Sequence, residues 1–179
     1  MVYMFLADGF EEIEALCPLD LLRRAGVDVK TVGVGSDVIC GAHGIKVFSD
    51  MRDSDFNDDR PEMIILPGGM PGTTHLDKSA VVEKTLSAVY ENGGFLAAIC
   101  AAPRVLGKRG YLKNKKAICY PGFETYLTGA SLSDSRVCRD GKIITAAGAG
   151  VALEFALALI GVLYGEEKAG QIRASVLAD

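Results

Sequence analysis

The chain has 179 residues, 49% of them hydrophobic and 23% charged, a composition that supports one packed core and excludes a disordered or collagen-like polypeptide. Its 19 Lys and Arg against 23 Asp and Glu leave a net charge of -4, so there is no general attraction to a phosphate backbone and no specific nucleic-acid partner is expected. The longest apolar stretch, Ala149 to Tyr164, is broken by Glu154 and falls short of the ~20 residues that a bilayer crossing needs, so no membrane partner is expected.

The first segment, VYMFLA, reads as a strand and is followed by GFEEIEALCPLDLLRRAG, a helix closed by Gly26. The opening lacks a basic leader and turns acidic within ten residues, which points to a cytoplasmic protein. VDVKTVGVGS forms the next strand. Short runs at Val38 to Cys40 and Ile45 to Phe48 then pair as a hairpin across GAHG, and the acidic segment DMRDSDFNDDRP is expected to be a loop. EMIILP does not alternate polar with apolar residues and reads as a strand buried on both faces, ending in the turn LPGGMPG. His75 falls in the loop expected after that turn, as His43 falls in the hairpin turn.

A helix over Val81 to Tyr90 leads to FLAAIC, a second buried strand, with another helix expected to begin near Ala101. The remainder offers a short strand at KAICY and a short helix in FETYLTG. Two strands around RVCRD and KIITA follow, joined by Asp140-Gly141, and then a long helix from about Val151. Alternating strands and helices imply an α/β fold: a mostly parallel sheet with helices on both faces, here as a single domain over residues 1–179. Such sheets bind ligands at the carboxyl ends of their strands, and three conspicuous segments fall there: Gly9 to Glu14, LPGG, and Cys100.

Five cysteines, an odd number without a C-x-x-C pair, signal neither a disulfide framework nor a thiolate metal site. Cys100 stands apart from the other four. At a strand-to-helix junction among the small residues AAICAAP, it resembles a nucleophile elbow built with cysteine, and the helix start is expected to favour its thiolate. Glu14 lies on the first turns of a helix beside an apolar face, whereas Glu11 and Glu12 suit a solvated face at a helix start. Gly68 and Gly69 have no side chains to keep their backbone N–H groups from an oxyanion or a sulfur-bound oxygen. Gly33 and Gly35, like Gly148 and Gly150, lack the third glycine of a dinucleotide fingerprint, so no nicotinamide or flavin cofactor is indicated.

Taken together, LADGFEEIEALCPLDLLRRAG, ILPGGMPG, FLAAICAAP and GAGVALEFALALI resemble the ThiJ/PfpI superfamily, and within it the branch of the parkinsonism-associated protein deglycase. The resemblance runs in order over nearly the whole chain. It implies a flavodoxin-like three-layer sandwich and a homodimer, with the reactive cysteine at Cys100 and a protonated glutamate bonded to its sulfur at Glu14. It also implies backbone donors at Gly68, Gly69 and Ala101, with Arg24 helping to hold an oxidised cysteine.

The chain departs from the family's pattern in two places. Peptidase-like relatives carry a histidine directly after the nucleophile, where Ala101 stands, so a proteolytic reading loses its general base. The deglycase branch often carries a histidine near the cysteine, and the matching residue is Tyr120, whose ordinary pKa of ~10 makes it a poor base at neutral pH.

The activity so implied is that of a glutathione-independent glyoxalase or deglycase, in which the Cys100 thiolate adds to a small reactive carbonyl compound such as an α-oxoaldehyde and Glu14 moves the protons. A competing expectation is a redox sensor whose Cys100 is oxidised to sulfinate, which needs no turnover and no histidine. No metal or cofactor is expected under either.

Overall fold

The computed structural model describes residues 1–57 and 60–178. In chain order its elements are β1 (Val2–Leu6), α1 (Glu12–Arg24), β2 (Val29–Gly33), β3 (Val38–Cys40), β4 (Lys46–Phe48), β5 (Met51–Arg52) and β6 (Met63–Leu66). They continue as α2 (Gly72–Lys78), α3 (Ala80–Glu91), β7 (Phe95–Ile99), α4 (Pro103–Lys108), β8 (Lys116–Ala117) and β9 (Ser131–Leu132). The chain closes with β10 (Val137–Asp140), β11 (Ile143–Ala146), α5 (Ala152–Tyr164) and α6 (Glu166–Ser175).

Seven strands form the central sheet in the order β10-β11-β7-β6-β1-β2-β5. Its neighbours pair in parallel except β10 with β11, which Asp140-Gly141 turns into an antiparallel hairpin. Because successive strand residues point to opposite faces, β1 supplies both cores. Val2, Met4 and Leu6 pack with Leu22, Phe155 and Ile160 beneath α1 and α5. Tyr3 and Phe5 pack with Leu76, Leu86 and Val105 beneath α2, α3 and α4. Every residue of β1, β6, β7 and β11 is buried, as the unbroken apolar runs predict. The result is the expected α/β sandwich of three layers.

After β1 the chain winds out one way, through β2 to β5, and from β6 it winds out the other way, through β7 to β11. The carboxyl ends of β1 and β6 therefore flank the point where the order reverses, which is where an open α/β sheet leaves a crevice.

Four local expectations are corrected. Part of the acidic segment is not loop: Met51–Arg52 extend the sheet edge and Asp53–Asp55 form one 3-10 turn, while Asp58 and Asp59 lie outside the described residues. His75 is on α2, not in a loop. The helix after Cys100 starts at Pro103, whose fixed φ suits a first helical position. The C-terminal segment is two helices, broken at Gly165, whose φ of 90° a side chain rarely adopts. No helix among the described residues is long and apolar enough to cross a membrane.

Candidate active site

Three loops meet at the crevice. The loop after β1 carries Glu11, whose carboxylate caps α1 by accepting the Glu14 N–H at 2.8 Å, placing Glu14 on the first turn with its side chain pointing inward. The loop after β6 crosses it closely: Glu11 N donates to Gly68 O at 3.0 Å and Gly72 N to Gly9 O at 3.2 Å. Room for that crossing explains the glycines. At Gly69 (φ 87°) a Cβ would collide with the backbone of Gly9 to Glu11. At Gly68 a Cβ would lie 2.5 Å from Glu14 Oε2 and 2.7 Å from Cys100 Cβ. The missing side chain is what lets carboxyl and thiol meet.

Cys100 follows β7 with φ 63°, a left-handed conformation that costs a non-glycine residue of order 1–3 kcal/mol and turns its side chain out of the sheet. The elbow is held from both sides, by Cys100 N donating to Ala146 O at 2.9 Å and by Tyr120 N donating to Cys100 O at 2.8 Å. Its sulfur accepts backbone N–H bonds from Ala101 and Gly69 and is hydrogen-bonded to Glu14. The Glu14 carboxyl, 1% exposed as a residue, also accepts from Gly68 N at 2.9 Å and from the Ala149 N–H.

The two glycines thus divide the work. Gly69 donates to the sulfur and Gly68 to the glutamate, where the sequence suggested one shared role. The Ala149 donor was not foreseen, although the glycines flanking it, Gly148 and Gly150, marked a turn at a strand end.

Burial raises Glu14 from its ordinary 4.5 to about 7. With Glu14 ionised, burial, the carboxylate charge and its acceptance of the thiol proton push Cys100 up to about 12. A proton moved to Glu14 removes the second and third of these causes and leaves a sulfur facing three donors: Gly69 N–H, Ala101 N–H and the carboxylic acid. This corrects the expectation that a helix start activates the cysteine, since α4 begins only at Pro103 and has six residues. The Ala101 and Gly69 N–H groups, which lower the thiol, take that part.

The pair shares one proton once the first has left, near pH 7. Alkylation of Cys100 by iodoacetamide, followed on the Cys100 peptide by mass spectrometry, is accordingly expected to rise with pH and level off around an inflection near 7. An inflection at or above the ~8.5 of free cysteine would contradict this coupling.

Tyr120 stands at the mouth of the site, half exposed, with its ring over Gly148 and its N–H on Cys100. Arg24 is not brought there. It lies in the last turn of α1, ten residues or about 15 Å along the axis from Glu14, and its Nε is bonded to Asp20 at 2.7 Å.

The expectation of a solvated Glu12 also fails. Glu12 is 5% exposed and accepts the His43 backbone N–H and pairs with its Nδ1, both at 2.7 Å, tying the hairpin to α1. Burial opposes its ionisation, but the His43 bonds outweigh it and hold the carboxyl below its usual value. Glu11, Glu12 and His43 are the described residues whose side-chain ligand atoms, all within 4.8 Å, could gather round a metal ion. They lie outside the Cys100 pair. His75 is exposed, with Nδ1 2.9 Å from Asp8 O, so neither histidine enters the site.

Comparison with known proteins is consistent along the whole chain. Residues 1–161 match the sequence model of the DJ-1/PfpI family. Protein DJ-1 homolog A from Arabidopsis thaliana is 39% identical over 176 residues, covering 96% of this chain and 45% of the plant protein, so the chain spans less than half of that relative. Glutathione-independent glyoxalase DJR-1.2 from Caenorhabditis elegans is 32% identical over 164 residues, covering 90% of this chain and 87% of the relative. Among solved structures, oxidised DJ-1 from Toxoplasma gondii superposes with a TM-score of 0.91 at 37% identity, covering 98% of this chain and 97% of its own. An elbow cysteine, a buried glutamate and a glycine turn thus occur within a chain that resembles these proteins in sequence and shape, and it belongs to the DJ-1/PfpI family.

Proposed function

We propose that the protein is a glutathione-independent glyoxalase, acting on α-oxoaldehydes and, through the same chemistry, on early glycation adducts as a deglycase. The observation that carries this reading is the hydrogen-bonded Cys100–Glu14 pair with separate backbone donors for each partner. The name of the C. elegans relative supports the reaction class.

In this reaction the Cys100 sulfur bonds to the aldehyde carbon, and the carbonyl oxygen takes the proton from Glu14 to give a hemithioacetal. The Glu14 carboxylate then removes the hydrogen on that carbon as a proton and returns it to the neighbouring ketone carbon, while the hydroxyl proton passes from the first oxygen to the former ketone oxygen. The product is a 2-hydroxy thioester on Cys100. Water cleaves it, releasing the 2-hydroxy acid and restoring the thiol, with no external oxidant or reductant. A carboxyl whose pKa lies near 7 suits both proton transfers at neutral pH.

The test is lactate formation from methylglyoxal without glutathione. Wild type is expected to turn over, and Cys100→Ser is expected to lose all measurable activity. A Cys100→Ser protein as active as wild type would sink the proposal.

A second reading is favoured by the lack of any histidine at the pair, Ala101 and Tyr120 standing where relatives carry one. Oxidation of Cys100 to sulfinate needs no general base, and the Gly69 and Ala101 N–H groups that bond its sulfur support this reading as donors to the added oxygens. Absent turnover with a clean gain of two oxygens on Cys100 after mild peroxide would select this reading. The homodimer implied by the resemblance has apolar surface to bury, since the exposed Ile13 and Ile45 line one hollow beside α1.

A further inference from the structure

We infer that the cleft beside Tyr120 is a subsite for an apolar, aromatic substituent attached to the electrophile that Cys100 attacks. This deepens the proposed reaction and rests on it for the identity of that electrophile. It makes aryl-substituted α-oxoaldehydes, rather than glyoxal itself, the better substrates.

The cleft is shallow and open, with about 360 Å³ between the Tyr120-Pro121 segment and the turn from β11 into α5. Both walls belong to the catalytic pair. Tyr120 N–H is bonded to Cys100 O, and the opposite turn donates the Ala149 N–H to Glu14. A Cβ on Gly148, one of the lining residues, would lie 3.8 Å from Tyr120 Cε2 and 3.9 Å from Glu14 Oε1, so the cleft borders the carboxyl that bonds the sulfur.

Its lining is chiefly apolar. Pro121, Ala147 and Val151 contribute, and Arg136 also lines it with its guanidinium bonded to Gly150 O at 2.8 Å and 3.4 Å from Glu154. The Tyr120 ring is half exposed, so burial against a second ring is available to it.

Gly148 is fitted to this arrangement. Its φ of 164° is extended backbone that any residue adopts, so conformation does not demand glycine. A Cβ there would instead sit 3.2 Å from Tyr120 Cδ2, a tight contact that the ring would relieve by moving a few tenths of an ångström. The absent side chain lets the Tyr120 ring approach the Gly148 backbone closely.

The test uses two alkylating agents, iodoacetamide and its N-phenyl derivative, whose reactions with Cys100 require no turnover. In wild type the N-phenyl to unsubstituted rate ratio is expected to exceed that of N-acetylcysteine by roughly 5-fold, the size of one aromatic contact. Tyr120→Ala is expected to return the ratio to the free-thiol value and Tyr120→Phe to keep it, because the ring and not the hydroxyl makes the contact. A wild-type ratio equal to that of N-acetylcysteine, or a raised ratio that survives Tyr120→Ala, overturns the subsite. Hydroxy-acid formation from methylglyoxal, measured alongside, separates the two ideas. A raised, Tyr120-dependent ratio without turnover upholds the subsite and sinks the glyoxalase reading, and turnover with an ordinary ratio does the reverse.

Discussion

Glu14→Gln is expected to lower lactate formation from methylglyoxal by at least about 100-fold while Cys100 still reacts with iodoacetamide at neutral pH. The substitution keeps shape and removes the transferable proton. The introduced amide can accept the Gly68 N–H through its carbonyl and donate to the sulfur through its nitrogen, and loss of the carboxylate removes two of the three causes that raise the thiol. The nucleophile survives, but nothing carries the proton between the two substrate carbons. Alkylation abolished together with turnover would show instead that the carboxyl's role is to build the site.

The same variant tests what the site costs the fold. Moving a carboxyl from 4.5 in the unfolded chain to about 7 in the native one means that the native state holds a proton the unfolded state releases. Stability therefore falls as pH rises from 4.5 to 7, and above 7 the full cost, on the order of 3 kcal/mol, is present. Glu14→Gln removes that cost. Its melting temperature is expected to match wild type near pH 4.5 and exceed it by several degrees at pH 8.

The fold was readable because its strands announce themselves. MIIL and FLAAI are too uniformly apolar for anything but central strands, and their termini placed Gly68 and Cys100 at the crevice. What could not be read were pairings across the chain. The sequence shows Glu12 and His43 31 residues apart, and only the hairpin folding onto α1 turns a solvated acid into a buried one. Arg24 failed in the opposite sense, since its match to relatives says nothing about which way the last turn of α1 faces in this chain, where its Nε meets Asp20. The elbow at Cys100 was legible from the strand end, but the bond between its thiol and a carboxyl 86 residues away, which raises the thiol, was not.

One such pairing holds the sulfur's donors together. The loop that supplies Gly69 runs into α2, and the elbow that supplies Cys100 and Ala101 runs into α4, so their spacing depends on how these helices are joined. Asp77 joins them. Its carboxylate accepts from Lys108 Nζ and Arg109 Nη1, both at 2.7 Å, and its backbone oxygen accepts from Arg109 Nη2 at 2.7 Å. Arg104 completes the cluster, bonded to Thr74 Oγ1 at 3.1 Å and 3.7 Å from Asp77. The Asp77, Arg104 and Arg109 side chains are only 11–14% exposed, so this is a buried ionic contact and not a screened surface pair. Asp77→Asn takes the nearest carboxylate from the largely buried Arg104 and leaves Arg109 only the exposed Glu83 at 3.6 Å, and is expected to cost about 3 kcal/mol, lowering the melting temperature by roughly 6–12 °C. Burial works against ionisation of Asp77, but Lys108 and Arg109 prevail and hold its pKa below the ordinary 3.8. The stabilisation is thus fully present above that value and lost as pH falls through the lowered one, so the gap between wild type and variant should be constant from pH 5 to 8 and close in acid. A melting temperature within 2 °C of wild type at pH 7 would show that the contact adds nothing beyond what the apolar core already secures.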